Sequence, residues 1–230
     1  MRNFILLCFV SLLGFSQAQA TGPNLLTNGD FEAGGTGWNE ETVGTAFYAA
    51  LGSMSPITPP ADSEHGTTAL VLSGQSSGSR NQTLVFQDGI PVTPGDLFEA
   101  CTEAQIVTGN EIVGGNQGFI RLAFFDEMGV EVAGFNSNFI NTTSPTDEWI
   151  DLCLSVIAPE GAVTAGMFIF FQQTDGVSPG VLFYDNAFLC VTAAAPIPTL
   201  ETWGLIILGL GMSIVGIVYL AQRKSAIQVG

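Results

Sequence analysis

The amino-acid sequence predicts an all-β sandwich between Thr21 and Ala195, on three observations. No stretch in that interval sustains the 3.6-residue apolar period of a helix. Eight or more short segments instead favour strand-forming residues, several with strict apolar–polar alternation. Gly- and Pro-marked turns separate them at fairly regular spacing, the pattern of two packed antiparallel sheets.

In chain order, Asn24 to Glu32 opens with alternation and carries the turn dipeptide Asn28-Gly29. From there to Pro60 short apolar pieces mix with Gly, Ser and Pro, and no clear strand emerges. Thr67–Ser73 and Gln82–Gln87 read as strands, and Pro94-Gly95 centres the next turn. Leu97–Val107 alternates. Phe98, Ala100, Thr102, Ala104 and Ile106 share one face, while Glu99, Cys101, Glu103 and Gln105 share the other. Phe119–Asp126 and Val130–Phe135 form a hairpin around Met128-Gly129. Trp149–Ile157, Ala165–Gln172 and Val181–Val191 complete the set. Most phenylalanines fall within these strands and are assigned to the core.

Both ends of the chain carry membrane signals. Met1 to Ala20 reads as a secretory signal peptide: Arg2, an apolar run from Phe4 to Phe15, and the cleavage site Ala18-Gln19-Ala20. Near the other end, 17 uncharged residues from Leu205 to Ala221 are long enough to span a bilayer. Arg223 and Lys224 follow as a cytoplasmic stop-transfer pair, and Trp203 stands at the outer interface. The expected boundaries are 1–20 signal peptide, 21–192 sandwich, 193–204 linker and sorting motif, 205–221 span and 222–230 basic tail. The exported part retains only Arg80 and Arg121 against 20 of the 21 acids, a net charge of about −18. Such a charge repels nucleic acid, whose binding needs cations to displace phosphate counterions.

The order Ile197-Pro198-Thr199-Leu200, then Trp203-Gly204, an apolar helix and a basic cluster resembles the IPTL-type C-terminal sorting tails of Gram-negative bacteria. These are similar to the PEP-type tails handled by exosortase-like transpeptidases. Thr202 departs from the acidic or amide residue usual there. The resemblance implies a temporary membrane anchor, a processing enzyme as partner, and delivery to the cell surface or extracellular matrix.

The remaining pieces occur in a second order: Asn24-Leu25-Leu26, Asn28-Gly29, Phe31-Glu32 and Gly37-Trp38; His65-Gly66 and Ala69-Leu70; Val92 with Pro94-Gly95; Trp149 with Leu152; Val181, Phe183 and Asp185-Asn186. This resembles the galactose-binding-like jelly rolls of carbohydrate-binding module families 4 and 9. It implies a jelly-roll sandwich with a structural calcium ion joining the first strand to the last. Glu32 and Asp185 would ligate it, together with carbonyls near Asn28 to Asp30. Asn186 stands where the family often has a second Asp. Sugar binding needs aromatic planes and fixed polar groups. Gln105, Arg121 and Gln172 are the strand residues expected to line such a face.

After signal removal Cys101, Cys153 and Cys190 remain. An oxidising compartment favours one disulfide, Cys101–Cys153 first and Cys101–Cys190 second, with one odd thiol. Gly74-Gln75-Ser76-Ser77-Gly78 fits the G-x-S-x-G nucleophile pattern. A strand is expected after it rather than a helix, and the one histidine, His65, precedes it. The sequence therefore points to a non-catalytic surface protein that associates with extracellular polysaccharide, or alternatively to a matrix or surface-layer component held by protein contacts.

Overall fold

The computed structural model describes residues 22–42, 44–52, 58–62 and 64–192. The chain divides after Ala193 into two compact units, and the described residues all belong to the first. The signal peptide, the sorting motif, the span and the Arg223–Lys224 pair lie outside the described residues. Among the described residues no helix is long and apolar enough to cross a membrane.

Eleven strands run through these residues. They are β1 (Asn39–Thr42), β2 (Thr45–Ala50), β3 (Thr68–Ser73), β4 (Asn81–Pro91), β5 (Leu97–Gln105) and β6 (Gln117–Phe125), then β7 (Glu131–Asn136), β8 (Ile140–Asn141), β9 (Ile150–Ile157), β10 (Thr164–Gln173) and β11 (Val181–Thr192). One sheet has the order β1-β4-β10-β6-β7, with β8 also on β6. The other has the order β2-β3-β11-β5-β9. The recorded pairings are antiparallel. The fold is therefore the expected all-β sandwich of two antiparallel sheets.

Alternation decides what faces inward. On β5 the residues Phe98, Ala100, Thr102 and Ala104 are buried and their neighbours Glu99, Cys101 and Glu103 are less so. The core joins them to Leu70, Leu72, Ile120, Leu122, Phe124, Leu152, Ile169, Phe171 and Tyr184. Each large apolar side chain removed from water contributes about 1.5–3 kcal/mol. The Tyr184 hydroxyl donates to the Phe170 carbonyl oxygen at 2.7 Å and so bonds β11 to β10 across the sandwich. Gly118 makes room for it, since a Cβ there would lie 2.1 Å from that hydroxyl.

The sequence reading differs from the structure at the N-terminal end. Asn24 to Glu32 is a turn-rich segment, not a strand. Asn28 and Phe31 adopt φ of 52° and 51°, which breaks an extended run. The segment is instead laced to β11. Leu25 N donates to Leu189 O, Ala187 N donates to Gly29 O, and the Asn24 side chain bonds both Ala187 O and Leu189 N. Strands β1 and β8 escaped the sequence reading because they are short or polar, as in Asn39-Glu40-Glu41-Thr42, and β2 (Thr45–Ala50) escaped it although it is as long as β3.

Cys101 and Cys153 are directly opposite on β5 and β9 and form a disulfide, while Cys190 is a buried free thiol. The bridge closes a loop with a sequence separation of 52. The double variant Cys101→Ser/Cys153→Ser is expected to lose about 2–4 kcal/mol of unfolding free energy. Urea unfolding followed by tryptophan fluorescence measures it.

Candidate ligand-binding face and metal centre

On the six-stranded sheet, Val85, Ile120, Leu122, Phe124, Met167, Ile169 and Phe171 point into the core. Their neighbours along the strands therefore point out. Those neighbours are unusually apolar: Leu84, Phe119 and Phe170 form a second cluster, with Phe86 and Phe168 packed against it. The strand register arranges the outer face in rows. Gln82, Gln172 and Gln117 form one row; Leu84, Phe170 and Phe119 the next; Phe86, Phe168, Arg121 and Asn136 the third.

The rings form a continuous array. Phe86 stacks on Phe168 at 5.1 Å, Phe168 lies 6.4 Å from Phe170, and Phe170 stacks on Phe119 at 4.8 Å. Phe139 meets Phe119 edge-on, and Phe125 flanks Phe168. Phe86, Phe125 and Phe168 are half-buried and Phe139 is exposed. The polar groups between them are fixed. Gln117 Nε2 donates to Gln172 Oε1 at 2.9 Å, and Arg121 Nη1 donates to Asn136 Oδ1 at 3.0 Å. Arg121 also pairs with Glu131, its guanidinium lying where a Cβ on Gly134 would collide.

Of the three residues expected to bind ligand, Arg121 and Gln172 thus share one face. Gln105 does not join them. It lies on β5 in the other sheet, where it is buried. The phenylalanines Phe86, Phe125 and Phe168, assigned by sequence to the core, are half-buried on the outer face, while Phe119 and Phe170 are buried there in a second cluster apart from the main core. Period-2 alternation cannot reveal this, because both faces of these strands are apolar.

The expected metal ligands occupy a different place. Asp185 is fully buried at a bulge in β11, where the register with β5 shifts between Asp185 and Phe188. Its Oδ1 accepts from Asn186 N at 2.7 Å, and its Oδ2 has no hydrogen-bond partner. Burial pushes the carboxyl up to about 8, aided by the negative charges of Glu32, Glu103 and Asp30. Glu32 accepts from the Thr67 hydroxyl and from the Thr67 and Thr68 amides, bonds that hold its carboxyl below the usual range. The Asn28 carbonyl already accepts from Trp38 Nε1 and Phe31 N, which uses both its lone pairs. Gly29 O accepts one donor. Among the described residues no three His, Cys, Asp or Glu side chains are grouped to hold a metal. Of the two expected ligands, Asp185 keeps one oxygen without a donor, whereas Glu32 already accepts three hydrogen bonds from Thr67 and Thr68. Asn186, at φ 50°, turns its amide away to donate to Glu103 and Glu64 O.

His65 has a role that its place beside a turn glycine did not suggest. It is buried, with Nδ1 2.9 Å from Asp62 and Nε2 3.1 Å from Glu103, and it stacks on Trp149 at 4.2 Å. It pins the segment between β2 and β3 onto the five-stranded sheet. Ser76 of the G-x-S-x-G run accepts from Gln173 Nε2, and β4 rather than a helix follows it.

Residues 195–223 match the family described as the IPTL-CTERM motif. The tail marks this as an exported, surface-targeted protein. No curated protein matches the chain. Among solved structures, it is similar to the Stig cyclase Fisc from Fischerella sp. TAU, with a TM-score of 0.52, 15% identity, and coverage of 75% of this chain and 98% of that one. It is also similar to the enzymatically active domain of tailspike protein 4 of bacteriophage CBA120, with a TM-score of 0.51, 19% identity and 74% of this chain covered. The match spans 21% of the tailspike chain. The CBM22-1 xylan-binding domain from Paenibacillus barcinonensis Xyn10C follows at a TM-score of 0.49, with 13% identity, 76% of this chain and 98% of that one. What the first two likenesses show is a shared fold.

The raised Asp185 pKa has a defined sign. The folded carboxyl keeps its proton up to about 8, whereas an unfolded aspartate releases it near about 4. Its contribution to stability is complete below about pH 4 and is lost as pH rises through about 8. Chelated protein is expected to melt lower at pH 8 than at pH 5, and Asp185→Asn to flatten that slope. Thermal melts of the two proteins across this range check it.

Proposed function

We propose that this is a non-catalytic surface protein whose sandwich associates with a neutral extracellular polysaccharide through the outer face of the six-stranded sheet. The observation that carries this reading is the phenylalanine array flanked by Gln117, Gln172 and Arg121. Aromatic faces receive the C–H faces of sugar rings, and fixed amides bond their hydroxyls. Arg121 is already neutralised by Glu131, so the face offers no unpaired cation to an acidic sugar. The excess of acids over the exported part disfavours uronate polymers for the same reason.

In this reading the signal peptide exports the chain, and residues 205–221 hold it in the membrane with Arg223 and Lys224 inside. An exosortase-like enzyme then recognises Ile197 to Leu200 with Trp203-Gly204 and releases the sandwich to the surface or matrix. Calcium, held by Asp185 and Glu32, supplies the positive charge that the buried carboxylate lacks and fastens the N-terminal segment to β11. Millimolar calcium is expected to raise the melting temperature at pH 8 by several degrees. In Asp185→Asn it leaves the temperature unchanged.

Among the described residues the buried core runs from Leu26 to Cys190, so residues 21–195 form a free-standing test object. Affinity electrophoresis through gels of different polysaccharides, including the host's own, is expected to show retardation by a neutral glycan. Phe168→Ala is expected to weaken it about tenfold, as loss of a stacking ring does. A second reading, a matrix component held by protein contacts, is favoured by the absence of Trp and Tyr from the array, since Phe offers no hydrogen-bonding handle. Absence of retardation by every glycan, with self-association that Phe168→Ala abolishes, decides for it.

A further inference from the structure

We infer that the sandwich carries a second ligand site, a cleft on the five-stranded sheet that takes a single hydroxyl-rich sugar unit. The inference stands apart from the phenylalanine face, which belongs to the other sheet. The cleft has a volume of about 600 Å³ and is bounded by Pro59 and Pro60 on one side and Thr108 and Asp147 on the other. Gln105 and Val107 line it from the end of β5. That volume lies within the range of small-molecule sites.

Two features point to a ligand that donates hydrogen bonds. The first is Gln105, which is 3% exposed with its Oε1 unpartnered. A buried acceptor without a donor is costly, and native structures leave few of them unexplained. The second is Asp147, a non-glycine residue held at φ 61°. Its carboxylate is fixed by Thr108 N at 2.9 Å and Thr108 Oγ1 at 2.6 Å. These bonds hold its carboxyl below the usual range, and Asp147 lines the cleft. A carboxylate and an amide oxygen that both accept match the paired hydroxyls of a sugar. The prolines add an apolar surface without N–H donors of their own.

The described lining residues are tied to the sheet by hydrogen bonds. Gly52 N donates to Pro59 O at 2.7 Å, and Leu51 N donates to Thr67 O at 2.8 Å. His65, stacked on Trp149 and bonded to Glu103, anchors the same segment to the sheet. Asp147 N donates to Ile106 O at 2.7 Å, which ties the opposite wall to the end of β5. Val71, Val107 and Phe183 with Trp149 form the apolar cluster beside it.

The test is a nitrogen-15 titration of residues 21–195 with glucose, galactose, mannose and glucosamine, each up to tens of millimolar. Expected is saturable movement of the Gln105 side-chain amide and the Thr108 backbone amide with at least one sugar. Gln105→Leu, which keeps the apolar packing, is expected to weaken binding at least tenfold. Asp147→Asn gives a second, milder loss, and Phe168→Ala leaves the dissociation constant unchanged. Stronger movement with glucosamine than with glucose assigns the Asp147 side to an ammonium; equal movement assigns it to hydroxyls. No movement with any sugar, or equal binding in Gln105→Leu and Asp147→Asn, overturns the inference. Polysaccharide retardation lost in Phe168→Ala but kept in Gln105→Leu reports on the other face alone, so the two readings fail separately.

Discussion

Strand β10 is apolar on both faces, and the rest of the molecule is arranged around that constraint. Its inward residues, Met167, Ile169 and Phe171, fill the core. Its outward residues, Phe168 and Phe170, cannot join them and instead recruit Phe86, Leu84 and Phe119 from the strands on either side. An antiparallel sheet normally gives its second face to water through polar residues. Here only the rim of that face is polar, with the glutamine row on one side and Arg121 with Asn136 on the other. The Tyr184 hydroxyl bond to the Phe170 carbonyl then fixes how this sheet sits on its partner.

The five-stranded sheet solves the same problem differently. Its outer face is also partly apolar, with Val71, Val107 and Phe183 buried. The chain covers it with its own segments. The stretch leading to β3 is pinned onto it by His65 and Trp149, while residues 24–32 bond along β11 and send Leu26 and Phe31 into the core between the sheets. Covering a face brings carboxylates under it, and Asp185 is the consequence: a buried group with one oxygen unsatisfied. One sheet therefore covers much of its outer face with its own chain and leaves a buried carboxyl oxygen without a donor. The other keeps an aromatic surface facing outward.

Much of this architecture was legible in the sequence, and the reason differs between elements. Strand β5 was readable residue by residue, because Phe98, Ala100, Thr102 and Ala104 alternate with Glu99, Cys101 and Glu103. The same alternation set Cys101 and Cys153 outward on strands that prove to be neighbours. Strands β4, β6 and β10 were found as strands, but their faces were not, since a run such as Gly166 to Phe171 is apolar on both sides. Asn24 to Glu32 misled because the left-handed Asn28 and Phe31 break its extended run, and it joins β11 through two backbone bonds and the Asn24 side chain rather than a ladder. His65 carried no local sign of its two carboxylate partners, which lie 3 and 38 positions away.

The central claim, that the outward phenylalanines are a sugar-binding surface, is tested most directly by looking at those rings. Carbon-13 aromatic spectra of phenylalanine-labelled protein would be followed while oligosaccharides from the retarding polysaccharide are added. The account predicts shifts at Phe86, Phe125, Phe168 and Phe139, with the core rings Phe98 and Phe171 unmoved. Unchanged spectra for the outer rings at saturating sugar would contradict it.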